Sequence, residues 1–246
     1  MRGLGLSEVV AVVIMIGVVL ALAVVFIIVS GVNMAAAAAS VSLSQAETTL
    51  VNIAQDLNAA VMSGVPYYSI SYPLPATRFG VYNVAKDYCR LVVVNTTHAV
   101  AWSVTSDAVV FGIPPNYLTM PSGFRKVLFG NDSLIFVNTS SSFFGVSQLG
   151  AGSLNGVSYG TYVVLYPRVG VVNDTVFVPV IKASFNPALP NLLVVNVTAL
   201  KPLPKNCCSG CMLMLNYTCG TVSNHYPLSC RSEIEIVEIE VVVEYG

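Results

Sequence analysis

Residues 4 to 32 are apolar almost without interruption, and residues 9 to 29 contain no charged side chain. Coiled as a helix at 1.5 Å rise per residue, residues 9 to 29 would cover ~31 Å, about one hydrocarbon thickness of a bilayer. Alanine-rich and serine-rich sequence carries the pattern on to Met62, with Glu47 and Asp56 the only charges after Glu8. One helix of ~90 Å is therefore predicted, stopped by Gly64-Val65-Pro66. Its two halves differ. The first is apolar on all sides, as suits lipid or the inside of a helical bundle. In the second, Leu43, Leu50, Ile53, Leu57 and Val61 recur at helical spacing on one side, which should cap a following domain.

From residue 67 the period changes. Short runs rich in Val, Ile, Tyr, Phe and Thr, separated by Gly, Pro, Asn and Asp, predict strands at 67–72, 79–84, 89–95, 109–113, 126–129, 133–137, 159–166, 175–181, 192–200, 212–217 and 233–243. About ten strands in roughly 180 residues, with no further helical stretch, point to an antiparallel β-sandwich-like domain, and so to an α+β chain. Asn131-Asp132 is a hairpin candidate. Residues 138 to 160, rich in Ser and Gly, read as a long mobile loop. Phe143-Phe144 at its start are either an adhesive or subunit-contacting tip, or a pair tucked into the core. In the last strand Glu233 and Glu235 fall on odd positions, Glu238 and Glu240 on even ones. Either a bulge at Val237 returns all four acids to one side, or the strand is an ordinary half-exposed one whose acids merely solubilise it; as an exposed edge it would present like charges that discourage unwanted pairing.

The chain opens Arg2-Gly3-Leu4-Gly5-Leu6-Ser7-Glu8 ahead of Val9-Val10-Ala11-Val12-Val13-Ile14. A general secretory signal has a shorter apolar region, of about 7–15 residues, although Ala37-Ala38-Ala39 would supply a cleavage site. An uncleaved anchor fits the length but leaves Glu8 without a reason, because a carboxylate beside hydrocarbon is costly when unpaired. The same residues resemble the start of type IV pilin-like proteins, particularly archaeal ones, over about 30 positions. That resemblance implies a class III signal peptide, with a prepilin peptidase cutting between Gly3 and Leu4 on the cytoplasmic side of the span. The apolar helix then stays in the mature protein. It further implies an assembly role for Glu8, whose carboxylate would pair with the new amine of Leu4 on a neighbouring subunit, as a buried charge requires. Many archaeal members carry Ser two residues after the cut. A cut after Gly5 would place Ser7 there and move Glu8 to third.

Composition narrows the function further. Charged residues make up 9% of the chain and hydrophobic ones 55%, against about 25% and 45–50% in ordinary soluble domains. So little charge suits a surface packed against copies of itself. The net charge of −1 and the lack of a basic run suggest no nucleic-acid partner. Six cysteines, Cys89, Cys207, Cys208, Cys211, Cys219 and Cys230, suit up to three disulfides outside the cytoplasm. Adjacent Cys207 and Cys208 should reach different partners, and Cys89 should tie the early sheet to the C-terminal cysteines. Cys208-x-x-Cys211 has zinc-ligand spacing, but no second C-x-x-C or paired His follows it.

Glycosylation acceptors of the form Asn-x-Ser/Thr stand at Asn95, Asn131, Asn138, Asn173, Asn196 and Asn216. Glycans there would supply hydrophilicity that the side chains lack. An enzyme is hard to build from two histidines, His98 and His225, and no nucleophile, phosphate or zinc-protease motif. A copper site from His98, His225, Cys230 and Met120 lacks the usual spacing, so neither cofactor nor metal is expected. The expectation is a leader at 1–3, a transmembrane and filament-core helix at 4–65 and an extracellular β-rich domain at 66–246. The resemblance makes this a subunit of an archaeal surface filament used in adhesion or cell-surface contact. Its partners would be copies of itself in a helical homopolymer, the prepilin peptidase and pilus assembly machinery, and the membrane before assembly. A membrane-anchored monomeric binding domain is the alternative of another class.

Overall fold

The computed structural model describes residues 4–63, 68–74, 79–94, 100–137, 141–172, 175–186, 188, 192–203, 212–229 and 235–245. A single helix, α1 (Leu4–Ser63), comes first. The strands follow as β1 (Tyr68–Pro73), β2 (Val81–Val94), β3 (Val100–Ile113), β4 (Arg125–Phe129), β5 (Ile135–Phe136), β6 (Phe144–Leu149), β7 (Gly152–Leu154) and β8 (Val157–Tyr159). After them come β9 (Thr161–Pro167), β10 (Val169–Val172), β11 (Thr175–Phe185), β12 (Leu192–Leu203), β13 (Met212–Cys219), β14 (Val222–Ser229) and β15 (Glu235–Tyr245). One sheet runs β1-β12-β15-β11-β10-β5 and a second β14-β13-β2-β3-β9-β6-β4, with β7-β8 a separate hairpin. Pairing is antiparallel except for β5 with β10 and β11 with β15.

The 60 residues of α1 make a rod of ~90 Å, as the sequence predicts. Leu43, Leu50, Ile53 and Leu57 are all buried, and Val61 packs beside them. Ala39, Ala46, Ala54 and Ala60 are buried between these leucines, where small side chains let the helix lie close against strands. The helix packs on β3, β4, β6 and β9 and touches β12. Two side chains fix its placement: Tyr72 Oη donates to Asp56 Oδ2 (2.5 Å) and the Phe143 backbone N–H donates to Asn58 Oδ1 (2.8 Å).

The centre of the seven-stranded sheet is buried on both faces. Val109, Phe111, Ile113, Val163 and Leu165 join the cluster around α1. Ala108, Val110, Val164 and Tyr166 point the other way, toward Val176, Val178 and Val180 of β11. Strands covered on both sides need continuous rather than alternating apolar sequence, which is what β3 and β9 carry.

The structure corrects four expectations. Strands predicted at 79–84 and 89–95 are one strand, β2, carried across the polar interval by a bulge at which Asp87 has φ 50°. Asp107 supports that bulge, accepting from the Asp87 N–H (3.0 Å) and from Lys86 Nζ (2.7 Å). Asn131-Asp132 is not a hairpin, because β4 pairs with β6 in one sheet and β5 with β10 in the other. Residues 141–160 are no mobile loop: β6 is an inner strand of the seven-stranded sheet, and Phe143 and Phe144 are buried at 8% and 0% exposure. Finally, β15 has no bulge at Val237 and is no edge. It lies between β12 and β11, in unbroken register with β11, and the register shift falls on β12 between Val197 and Ala199. Glu238, Glu240 and Glu244 share a half-buried face opposite Ile239, Val241 and Val243. Near the start of β15, Ile236, Val237 and Glu238 are all only half buried, so no strict inside face forces the acids into one parity.

Candidate functional site

The most unusual surface is the first half of α1. Residues 9–34 touch nothing in the β domain: Val9, Ile14, Leu20, Phe26 and Met34 are 60–73% exposed, and every large side chain between them is more than half exposed. At 1.5 Å per residue this bare apolar segment is ~39 Å long. Monomeric soluble proteins rarely expose patches of more than a few hundred Å² of apolar surface, so a rod of this kind is consistent with membrane anchoring. No linker separates it from the domain. The helix runs through the partly covered Ala35, Ala36 and Ala38 directly into the core at Ala39.

Of the residues expected to act in processing and assembly, Leu4 and Glu8 lie on α1 by their backbones. Their side chains, and Gly3, lie outside the described residues.

A second feature is covalent. Cys89 of β2 and Cys219 of β13 face one another in the ladder and are joined by a disulfide, with a Cα–Cα distance of 4.1 Å. Both are buried, and the bond fastens the β13-β14 hairpin to the rest of its sheet. The hairpin turn presses on the neighbouring strand. Gly220 donates its N–H to the Tyr88 carbonyl (3.0 Å), and at φ 55° a Cβ there would stand 2.6 Å from the Tyr88 hydroxyl. Burial raises the pKa of Tyr88 and of Tyr217, whose hydroxyl donates to the Pro167 carbonyl (2.9 Å). The expected tie between Cys89 and the C-terminal cysteines is thus present, while Cys207, Cys208, Cys211 and Cys230 lie outside the described residues.

No family model, curated protein or solved structure matches the chain.

The glycosylation acceptors fall in different settings. Asn131 is exposed in the β4-β5 connection. Asn196 is half buried in β12, laddered to β1 and β15, and Asn216 is half buried in β13, laddered to β14 and β2. The Oδ1 of Asn216 lies 2.7 Å from Nδ1 of His225. Asn95, Asn138, Asn173 and His98 lie outside the described residues.

Sequence reading missed one residue altogether. Arg168, between β9 and β10, is fully buried, with its guanidinium carbon 5.2 Å from the Phe136 ring centroid. Its burial lowers its pKa, and its hydrogen bonds go to backbone carbonyls, Ser142 and Asn131 rather than to a carboxylate. A lone Arg between Pro167 and Val169 carries no sequence signal that it will be enclosed. Enclosure follows from the Ser133 and Ser142 segments closing over it.

Proposed function

We propose that the chain is the structural subunit of an archaeal type IV pilus-like surface filament, polymerising through the first half of α1 and displaying the β domain outside the cell for adhesion or surface contact. The observation that carries this reading is one unbroken helix, bare and apolar for its first half, built into the core of a folded domain for its second. Before assembly, lipid covers the bare half. In the filament, the same half of neighbouring copies covers it. A membrane anchor needs about 20 apolar residues; the longer run here, joined rigidly to the domain, would hold that domain at a fixed distance from a filament axis. The Cys89–Cys219 bond supports a domain outside the reducing cytoplasm.

Under this reading a prepilin peptidase removes residues 1–3, and the mature N-terminus is Leu4, or Leu6 if the cut follows Gly5. N-terminal sequencing of protein sheared from the cell surface is expected to show that start, and negative-stain microscopy of the same material is expected to show thin filaments. A start near Ser40 would sink the proposal, because the polymerising helix would be gone.

Glu8 is the residue that would align an incoming subunit. In sequence it stands at the start of an apolar span, where an ion pair with the freed Leu4 amine of a neighbour would answer the burial of both charges. Replacing it by Gln keeps the shape and removes the charge. The Glu8→Gln protein is expected to be exported, cleaved and folded, with filament yield falling at least tenfold. Normal filament yield would remove the ion pair from the mechanism.

A further inference from the structure

The β4-β5 connection changes sheets, and Arg168 holds it in place. Its Nε donates to the Ser133 carbonyl (2.8 Å), its Nη1 to the Ser142 carbonyl (2.8 Å) and its Nη2 to Asn131 Oδ1 (2.5 Å). The Ser133 N–H donates to the same Asn131 oxygen (3.1 Å), which closes an Asx turn over Asn131-Asp132-Ser133. Asn131 thus has its carboxamide oxygen bound inward by two donors, yet the residue is exposed. Its Nδ2 has no hydrogen-bond partner among the described residues.

We infer that Asn131 carries an N-linked oligosaccharide, with Arg168 as the buried anchor of the acceptor turn. The inference rests on the proposed placement of the β domain outside the cell. Transfer requires an acceptor Asn whose nitrogen can be reached and whose backbone can bend around Ser or Thr two residues on. Asn131 is already in a turn. Asn196 and Asn216 each sit in a strand laddered on both sides, so bending there breaks backbone hydrogen bonds to two neighbours. In the reaction a bond forms between Asn131 Nδ2 and the anomeric carbon of a lipid-phosphate-linked oligosaccharide. The bond from that carbon to the phosphate oxygen breaks, the phosphate leaves with the electron pair, and Nδ2 loses a proton to solvent. Nothing is oxidised or reduced.

The test uses protein isolated from its own cells and digested with chymotrypsin without reduction. The peptide 130–134 contains Asn131 and no other acceptor. It is expected almost entirely as a glycopeptide, with the Asn196 and Asn216 peptides at their sequence masses. Two variants separate modification from folding. Asn131→Asp keeps an oxygen for Arg168 and Ser133 but loses the nitrogen. Ser133→Ala keeps Asn131 and the backbone carbonyl that Arg168 uses but loses the acceptor hydroxyl. Both are expected to melt within a few degrees of the native protein and to lose the glycan at 131 completely. A bare Asn131 in native protein, glycans on Asn196 or Asn216 in its place, or a glycan surviving Ser133→Ala would overturn the inference. The Cys89–Cys219-linked peptide in the same digest separates two failures. A bare Asn131 with the bridge present defeats this inference alone, and a bare Asn131 with free thiols defeats the extracellular placement as well.

Discussion

A chain that begins at Ala35 is expected to be a soluble monomer, whereas the full-length protein is expected to need detergent. Residues 9–34 contribute nothing to the domain core, so their removal leaves every buried side chain in place. The melting temperature of the shortened protein should match that of the full-length protein in mild detergent within about 3 °C, since ~1 kcal/mol moves a domain of this size by about 2–4 °C. Starting at residue 64 should give the opposite result. It strips Leu43, Leu50, Ile53 and Leu57 from the core, at about 1.5–3 kcal/mol each or roughly 6–12 kcal/mol together, comparable with the whole stability of a domain. Light scattering on a sizing column, with circular dichroism of the same fractions, checks both. A folded, soluble protein beginning at residue 64 would show that the helix is an appendage, and an aggregating protein beginning at Ala35 would show that the apolar surface lies elsewhere.

The second large effect belongs to the disulfide. Cys89 and Cys219 are 130 residues apart, so their bond closes most of the β domain into one loop. Chain-entropy arguments give ~5 kcal/mol for a loop of that length, and native bridges in secreted domains are worth about 2–5 kcal/mol. In the chain beginning at Ala35, replacing both by alanine should lower the melting temperature by roughly 5–20 °C. Because both sulfurs are buried, reductant alone should leave the bond intact, and reductant with denaturant should break it. A melting temperature unchanged in the double variant would mean that the β13-β14 hairpin is held without the bond. Rapid reduction of the native protein would mean that the hairpin opens readily.

How much of this was legible in the sequence depends on the range of the interaction that decides each element. The helix was legible in full, end and buried face included, because its apolar period is local and Gly64-Val65-Pro66 follows its last residue, Ser63. Most strands were legible for the same reason. β6 was not: its Gly145, Ser147 and Gln148 read as loop, and only neighbours explain their burial. Ser147 Oγ lies 3.1 Å from the Tyr166 hydroxyl, and the Tyr166 ring lies where a Cβ on residue 145 would stand. The β7-β8 hairpin did have a local signal, Asn155-Gly156, both at positive φ as a type I′ turn requires. β14 was hidden by Pro227, which an edge strand tolerates because its missing N–H faces outward. The acid alternation of β15 was visible, but its central place was not, since that is set by β11 and β12. Of the candidate site, the bare helix and one cysteine tie could be read in advance. The Arg168 anchor could not.

The position of β15 also sets a timetable. The last strand of the chain is the one that joins β12 to β11, so until residues 235–245 arrive the six-stranded sheet exists only as separate pieces. A chain leaving the ribosome cannot close this sheet early. The domain stays open until β15 is made, and only then can the core around the second half of α1, to which Ile239, Val241 and Val243 belong, be sealed.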